Sequence, residues 1–162
     1  MAIVREGGEV GLTLAKTPLF PDPYSGLEDF EARYYIYTHK GNYIEGEAPR
    51  VAYELWSPPK VVSAGVADPL SSFIAVEGGA ILESIKLAED GGGIVLRIYN
   101  PGEKHANARI NLWDVFYIYQ GDLLERIYGD PIARGSSFEI SLRPFEIKTF
   151  ILRPGIPGEN TS

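Results

Sequence analysis

The chain has 162 residues, 44% of them hydrophobic, and its 15 basic against 22 acidic side chains give a formal charge of -7. A soluble globular chain of this size buries roughly two-thirds of its extended surface, enough for one core without a covalent staple. The acid excess, with no basic stripe, argues against nucleic acid and anionic membrane surfaces as partners, and the absence of cysteine excludes disulfides, a thiol nucleophile and thiolate zinc sites.

The opening MAIVREGGEV has no signal-peptide apolar stretch, and no segment approaches the about 18 apolar residues of a membrane span. The expected location is the cytoplasm. Apolar residues recur mainly with period two between turn signals, and 18 Gly with 12 Pro supply many reversals. In chain order the predicted strands are 10–16, 30–39, 52–56, 73–76, 81–88, 93–100, 106–112, 115–119, 138–142 and 146–152. Proline-bearing loops fall at 17–23 and 57–60. Glu89 to Gly93 is polar and conformationally permissive, so it joins the strands on either side as a hairpin. Ile81, Glu83, Ile85 and Leu87 share one parity of the first arm, and Arg97 lies on the more polar face of the second.

Ten short strands with no helix long enough to cover a sheet point to an all-β antiparallel β-sandwich, with a closed β-barrel as the alternative. A single domain is expected over 1–153, followed by a flexible tail at 154–162.

Candidate chemistry is sparse. The two histidines, His39 and His105, are far apart in sequence and have no metal-ligand spacing, so a structural or solvated role is expected. Asp22, Glu28, Asp29 and Glu31 form one acidic cluster, and Glu89 with Asp90 another. A glycosidase needs two carboxylates roughly 5 to 10 Å apart, but these lie at turns, where carboxylates satisfy local amides. Glu89 to Gly93 precedes a strand and lacks the helix of a phosphate loop. Gly135-Ser136-Ser137 lacks a nucleophile elbow, and the acceptor-like Asn160-Thr161-Ser162 reads as chance without an export signal. Trp56, Trp113 and the tyrosines could stack on sugar rings, although packing within and at the rim of sheets is the commoner use of such residues.

Four stretches carry a family resemblance: GLTLAKTPLFPDP (11–23), ESIKLAEDG (83–91) followed by IVLRIYNP (94–101), DLLER (122–126) and PFEIKT (144–149). In this order they resemble the C-terminal β domain of the family 38 glycoside hydrolases, the α-mannosidases, most closely the bacterial and archaeal branch. The resemblance implies retaining hydrolysis of α-mannosides by an aspartate nucleophile and a zinc ion, both belonging to an N-terminal α/β barrel that has no counterpart in these stretches. It therefore implies no catalytic residue, metal ligand or cofactor in this chain, and a catalytic barrel as its partner. Arg97 is the residue best suited to lend a contact to a sugar, with a surface or interdomain salt bridge as the competing role. A free-standing carbohydrate-binding or structural interaction module, and a homo-oligomer, stay open.

Overall fold

The computed structural model describes residues 3–6, 9–18, 20–24, 26, 29–61, 63 and 72–155. Glu28, the Asn160-Thr161-Ser162 motif and all of the expected tail beyond Gly155 lie outside them. Contacts group the chain into two units, 1–38 and 39–162.

In the first unit β1 (Ile3–Glu6) pairs antiparallel with β2 (Glu9–Leu12), Ile3 opposite Leu12 and Glu6 opposite Glu9. The strand predicted at 10–16 thus ends at Leu12. The strand predicted at 30–39 does not form: its residues are irregular and exposed, including Tyr34, Tyr35 and Ile36. β-propensity is realised only against a partner strand and a buried face, and this aromatic run has neither.

The second unit begins with α1 (Ala48–Trp56), where a strand was predicted over 52–56. Pro49 sits in the first turn, where its missing N–H costs no hydrogen bond. Arg50 Nε donates to Glu54 Oε1 at 3.2 Å, one turn on. Ser57 N–H donates to Tyr53 O at 2.8 Å, and Pro58 and Pro59 then prevent continuation. Pro49, Ala52, Tyr53 and Trp56 follow the i, i+3, i+4, i+7 spacing of one helical face, a period hidden when only 52–56 is read as alternating.

Six strands follow: β3 (Ile74–Gly78), β4 (Ile81–Leu87), β5 (Ile94–Tyr99), β6 (Ala106–Gly121), β7 (Ala133–Leu142) and β8 (Ile147–Pro154). They form one antiparallel sheet in the order β3-β6-β8-β5-β4, with β7 on the other edge of β6. The strands predicted at 106–112 and 115–119 are the two halves of β6, interrupted by an irregularity between Asn111 and Phe116. The first half pairs with β3 and the second with β8, while β7 follows both. A bulge in a strand shared this way bends the sheet, giving the curled, half-barrel form of an antiparallel β-sandwich.

The concave side holds the core. Leu96 and Ile98 of β5, Ile110 and Ile118 of β6, Leu142 of β7 and Phe150 and Leu152 of β8 are almost completely buried in a single cluster. Phe138 and Phe150 meet edge to face, ring centres 5.1 Å apart. On the convex side Val95, Ile151 and Ala88 make a smaller cluster with Tyr119 and Ile127. Asn100, buried at the end of β5, donates from Nδ2 to Lys104 O (2.7 Å) and Arg143 O (2.9 Å) and accepts from Gly102 N–H (2.8 Å), tying the β5–β6 loop to the β7–β8 turn.

Candidate functional site

The most concentrated polar group lies on the convex face under the turn after β6. Gly121 ends the strand so tightly that a Cβ there would come within 2.6 Å of Ile151 Cδ1 and 2.8 Å of Arg126 O. Asp122 Oδ1 then accepts the Leu124 and Arg126 amides at 2.9 and 3.0 Å, and its Oδ2 lies 2.8 Å from Arg126 Nε. These bonds hold the Asp122 carboxyl below its ordinary range, the Arg126 amide contributing most.

Glu125 adopts a left-handed backbone (φ 66°), and its side chain is only 8% exposed. Its Oε1 lies 2.8 Å from Lys86 Nζ and 3.5 Å from Arg97 Nη2, while Oε2 accepts the Glu89 amide at 2.8 Å. Lys86 also pairs with Glu89. The Glu125 carboxyl is held below its usual range by Lys86 first, then by the Glu89 amide and Arg97, and Lys86 is correspondingly raised by Glu125 and Glu89. A carboxylate fixed in its ionised form between two cations is a poor proton donor. The cluster works as a clamp joining β4, β5, the 88–93 hairpin and the 122–126 turn.

Arg97 lies in that clamp. The register sets it opposite Ser84 of β4 and Thr149 of β8, on the convex, more polar face as its parity predicts. Its Nη2 also donates to Leu123 O at 3.2 Å. With the polar atoms of the turn directed inward, Leu123 and Leu124 stand outward, 61% and 72% exposed.

A second feature is a groove of about 850 Å³ between α1 and the β4–β5 edge, lined by Ala52, Tyr53, Trp56, Leu82, Glu83 and Tyr99 among others. The parity expected for β4 breaks here: the register shifts between Leu82 and Ser84, so Glu83 is the extra residue of a bulge. Leu82, Ile85 and Leu87 consequently face the same side as Leu96 and Ile98, and Glu83 drops out of their row. Tyr53 and Tyr99 rings lie 6.1 Å apart. Burial, followed by the neighbouring Tyr53 and Glu83, pushes the Tyr99 hydroxyl up to about 12.

Residues 79–150 match the family described as the glycosyl hydrolases family 38 C-terminal beta sandwich domain. The chain is also 28% identical over 156 residues to Alpha-mannosidase G of Dictyostelium discoideum, an alignment covering 89% of the chain and 14% of that protein. It is 29% identical over 175 residues to Alpha-mannosidase of Saccharomyces cerevisiae, covering 90% of the chain and 16% of that protein. Over residues 79–150 the chain is thus similar to the family 38 C-terminal β-sandwich domain. It spans less than a fifth of the length of either relative. No solved structure matches it. The matched span takes in β4 through the first half of β8, and so every member of the clamp, whereas α1 and β3 lie before it.

Of the described carboxylates named from sequence, Asp22 and Asp90 accept amides of their own turns. Asp22 Oδ1 accepts the Tyr24 amide at 2.9 Å, Glu31 pairs with Arg33 at 2.7 Å, and Asp29 is exposed. Asp90 Oδ1 accepts the Gly92 amide at 2.7 Å while its Oδ2 lies 3.2 Å from Arg153 Nη2. His39 and His105 are both exposed, and Gly135, Ser136 and Ser137 sit within β7. Trp113 stacks on Phe73 and meets Phe116 edge to face. Among the described residues no group of three or more His, Asp or Glu is placed to hold a metal ion, and no helix is long and apolar enough to cross a membrane. Glu125 was missed from sequence because its role rests on a left-handed turn and on partners in two distant strands. The α1 face was detectable in the spacing of Pro49, Ala52, Tyr53 and Trp56.

Proposed function

We propose that this chain is the noncatalytic C-terminal β domain of an α-mannosidase, packing against the catalytic α/β barrel and shaping one wall of its cleft. The observation that carries the reading is the 122–126 turn. Turns usually present polar atoms to water, yet here Asp122 and Glu125 are spent on internal bonds and two leucines project from a rigid frame. Such apolar projections suit a packed interface. The zinc ion associated with such hydrolysis would be held by the barrel; the described residues offer no matching donor group, so no chemical step is assigned to this chain.

Arg97 enters this reading first as a positioning residue, because its Nη2 is already committed to Leu123 O and Glu125. A direct bond from the rest of its guanidinium to a sugar hydroxyl is the finer proposal. A second reading, a free-standing carbohydrate-binding module, draws on the exposed indole of Trp56.

The test is complex formation with a separately produced catalytic barrel, followed by sedimentation. Leu123→Ser with Leu124→Ser should leave this chain's own unfolding midpoint unchanged and weaken the complex by about tenfold or more, as for truncated interface anchors. Undiminished association of the double variant would refute the docking role of the turn.

A further inference from the structure

We propose that the groove between α1 and the bulged edge of β4 binds a neutral saccharide, the ring stacking on Trp56 and its hydroxyls donating to Glu83. The indole of Trp56 is 89% exposed at the end of a helical face whose other members, Pro49, Ala52 and Tyr53, already line the groove. An aromatic plane left in water beside a concavity can bury the C–H face of a pyranose, while hydroxyls at the ring's edge require acceptors.

Glu83 is placed to supply one. The bulge removes it from the regular side-chain row, a device by which edge strands redirect a functional side chain. It makes no salt bridge among the described residues, in contrast to Glu54, which is held by Arg50. No lysine or arginine lines the groove. With Glu54 already paired, Glu83 is left without a lining cation, which disfavours phosphates, sulfates and uronates and favours a ligand rich in uncharged hydroxyl donors. A groove of about 850 Å³ accommodates one or two sugar rings.

This inference deepens the carbohydrate-binding reading and rests on it, and draws on the α-mannosidase reading only in its choice of mannosides as probes. The full chain, labelled with ¹⁵N, has two tryptophans, whose indole resonances are assigned from Trp56→Phe and Trp113→Phe. Titration with an α-linked mannobiose should move the Trp56 resonance saturably and leave Trp113 in place. Glu83→Ala should weaken binding by roughly tenfold, the scale of a charge-assisted hydrogen bond, and Trp56→Ala should abolish it. Glucuronate should not compete. A Trp56 resonance that does not move, an affinity unchanged by Glu83→Ala, or glucuronate binding as well as mannobiose would each overturn the proposal. Failure here leaves barrel docking intact, because that reading depends on a different surface and a different partner.

Discussion

Glu125 Oε1 lies 2.8 Å from Lys86 Nζ. The contact spans 39 positions of sequence and fixes the turn after β6 to the strand before the 88–93 hairpin. Because Arg97 meets the same oxygen and the Glu89 amide meets its neighbour, one carboxylate sets the height and tilt of Leu123 and Leu124 above the sheet.

The pH dependence of this clamp has a defined sign. Glu125 is held below its ordinary 4.5 in the folded chain, so its contribution is complete above that value and is lost as pH falls through the lower folded one. Lys86 is raised above 10.5, so its contribution holds below 10.5 and is lost as pH rises through the folded value. Hydrogen exchange of the Glu89 amide should therefore lose protection below pH 4.5, after correction for intrinsic exchange. In Glu125→Gln that acid-induced loss should be largely absent. An identical acid profile in the variant would remove Glu125 from its role.

Arg97→Lys should distinguish charge from geometry. Lysine preserves the charge but lacks the planar fork that serves Leu123 O and Glu125 together. The expected outcome is a folded chain with an unchanged β-sheet circular dichroism spectrum and faster exchange of the 122–126 amides. If a mannoside shifts Arg97 side-chain resonances in the assembled enzyme, its guanidinium also contacts sugar.

Asn100 is the polar residue that joins the β5–β6 loop to the β7–β8 turn. Asn100→Ala removes two donated bonds and one accepted bond and leaves the buried amide of Gly102 unsatisfied, at a cost of about 2–4 kcal/mol. Urea unfolding should show the loss as a lower midpoint with an unchanged slope. A cost below about 0.5 kcal/mol, the range of a neutral surface change, would contradict it.

In the core, Ile110 and Phe150 are almost completely buried on the concave side. Ile110→Ala should cost about 2–5 kcal/mol and Phe150→Ala about 3–5 kcal/mol, since each leaves a cavity between strands that cannot close freely. Chemical denaturation checks both values.

The hairpin at 81–100 and β6 to β8 were legible in the sequence because their alternation coincides with a buried face. Leu96 and Ile98 point inward while Arg97 points outward, as parity requires. The same rule fails at Glu83, where one extra residue shifts the pairing of β4. It fails again at 30–39, whose aromatic run finds no partner strand, and at 52–56, where four residues beginning at Pro49 follow a helical period. Arg97 was identifiable as the cation of a polar face, but Glu125 was not identifiable as its counterion, because a left-handed turn and a distant register bring them together. Period-two reading detects faces; it does not detect bulges or contacts made across turns.

The central claim is that this chain shapes another domain's hydrolytic centre and supplies none itself. The most direct measurement is hydrolysis of an aryl α-mannoside by this chain alone, by a separate catalytic barrel alone, and by their mixture, each with and without a chelator. The expected result is no turnover by this chain, and activity of the mixture above that of the barrel that the chelator abolishes. Turnover by the purified chain alone, or a mixture no more active than the barrel, would contradict the account.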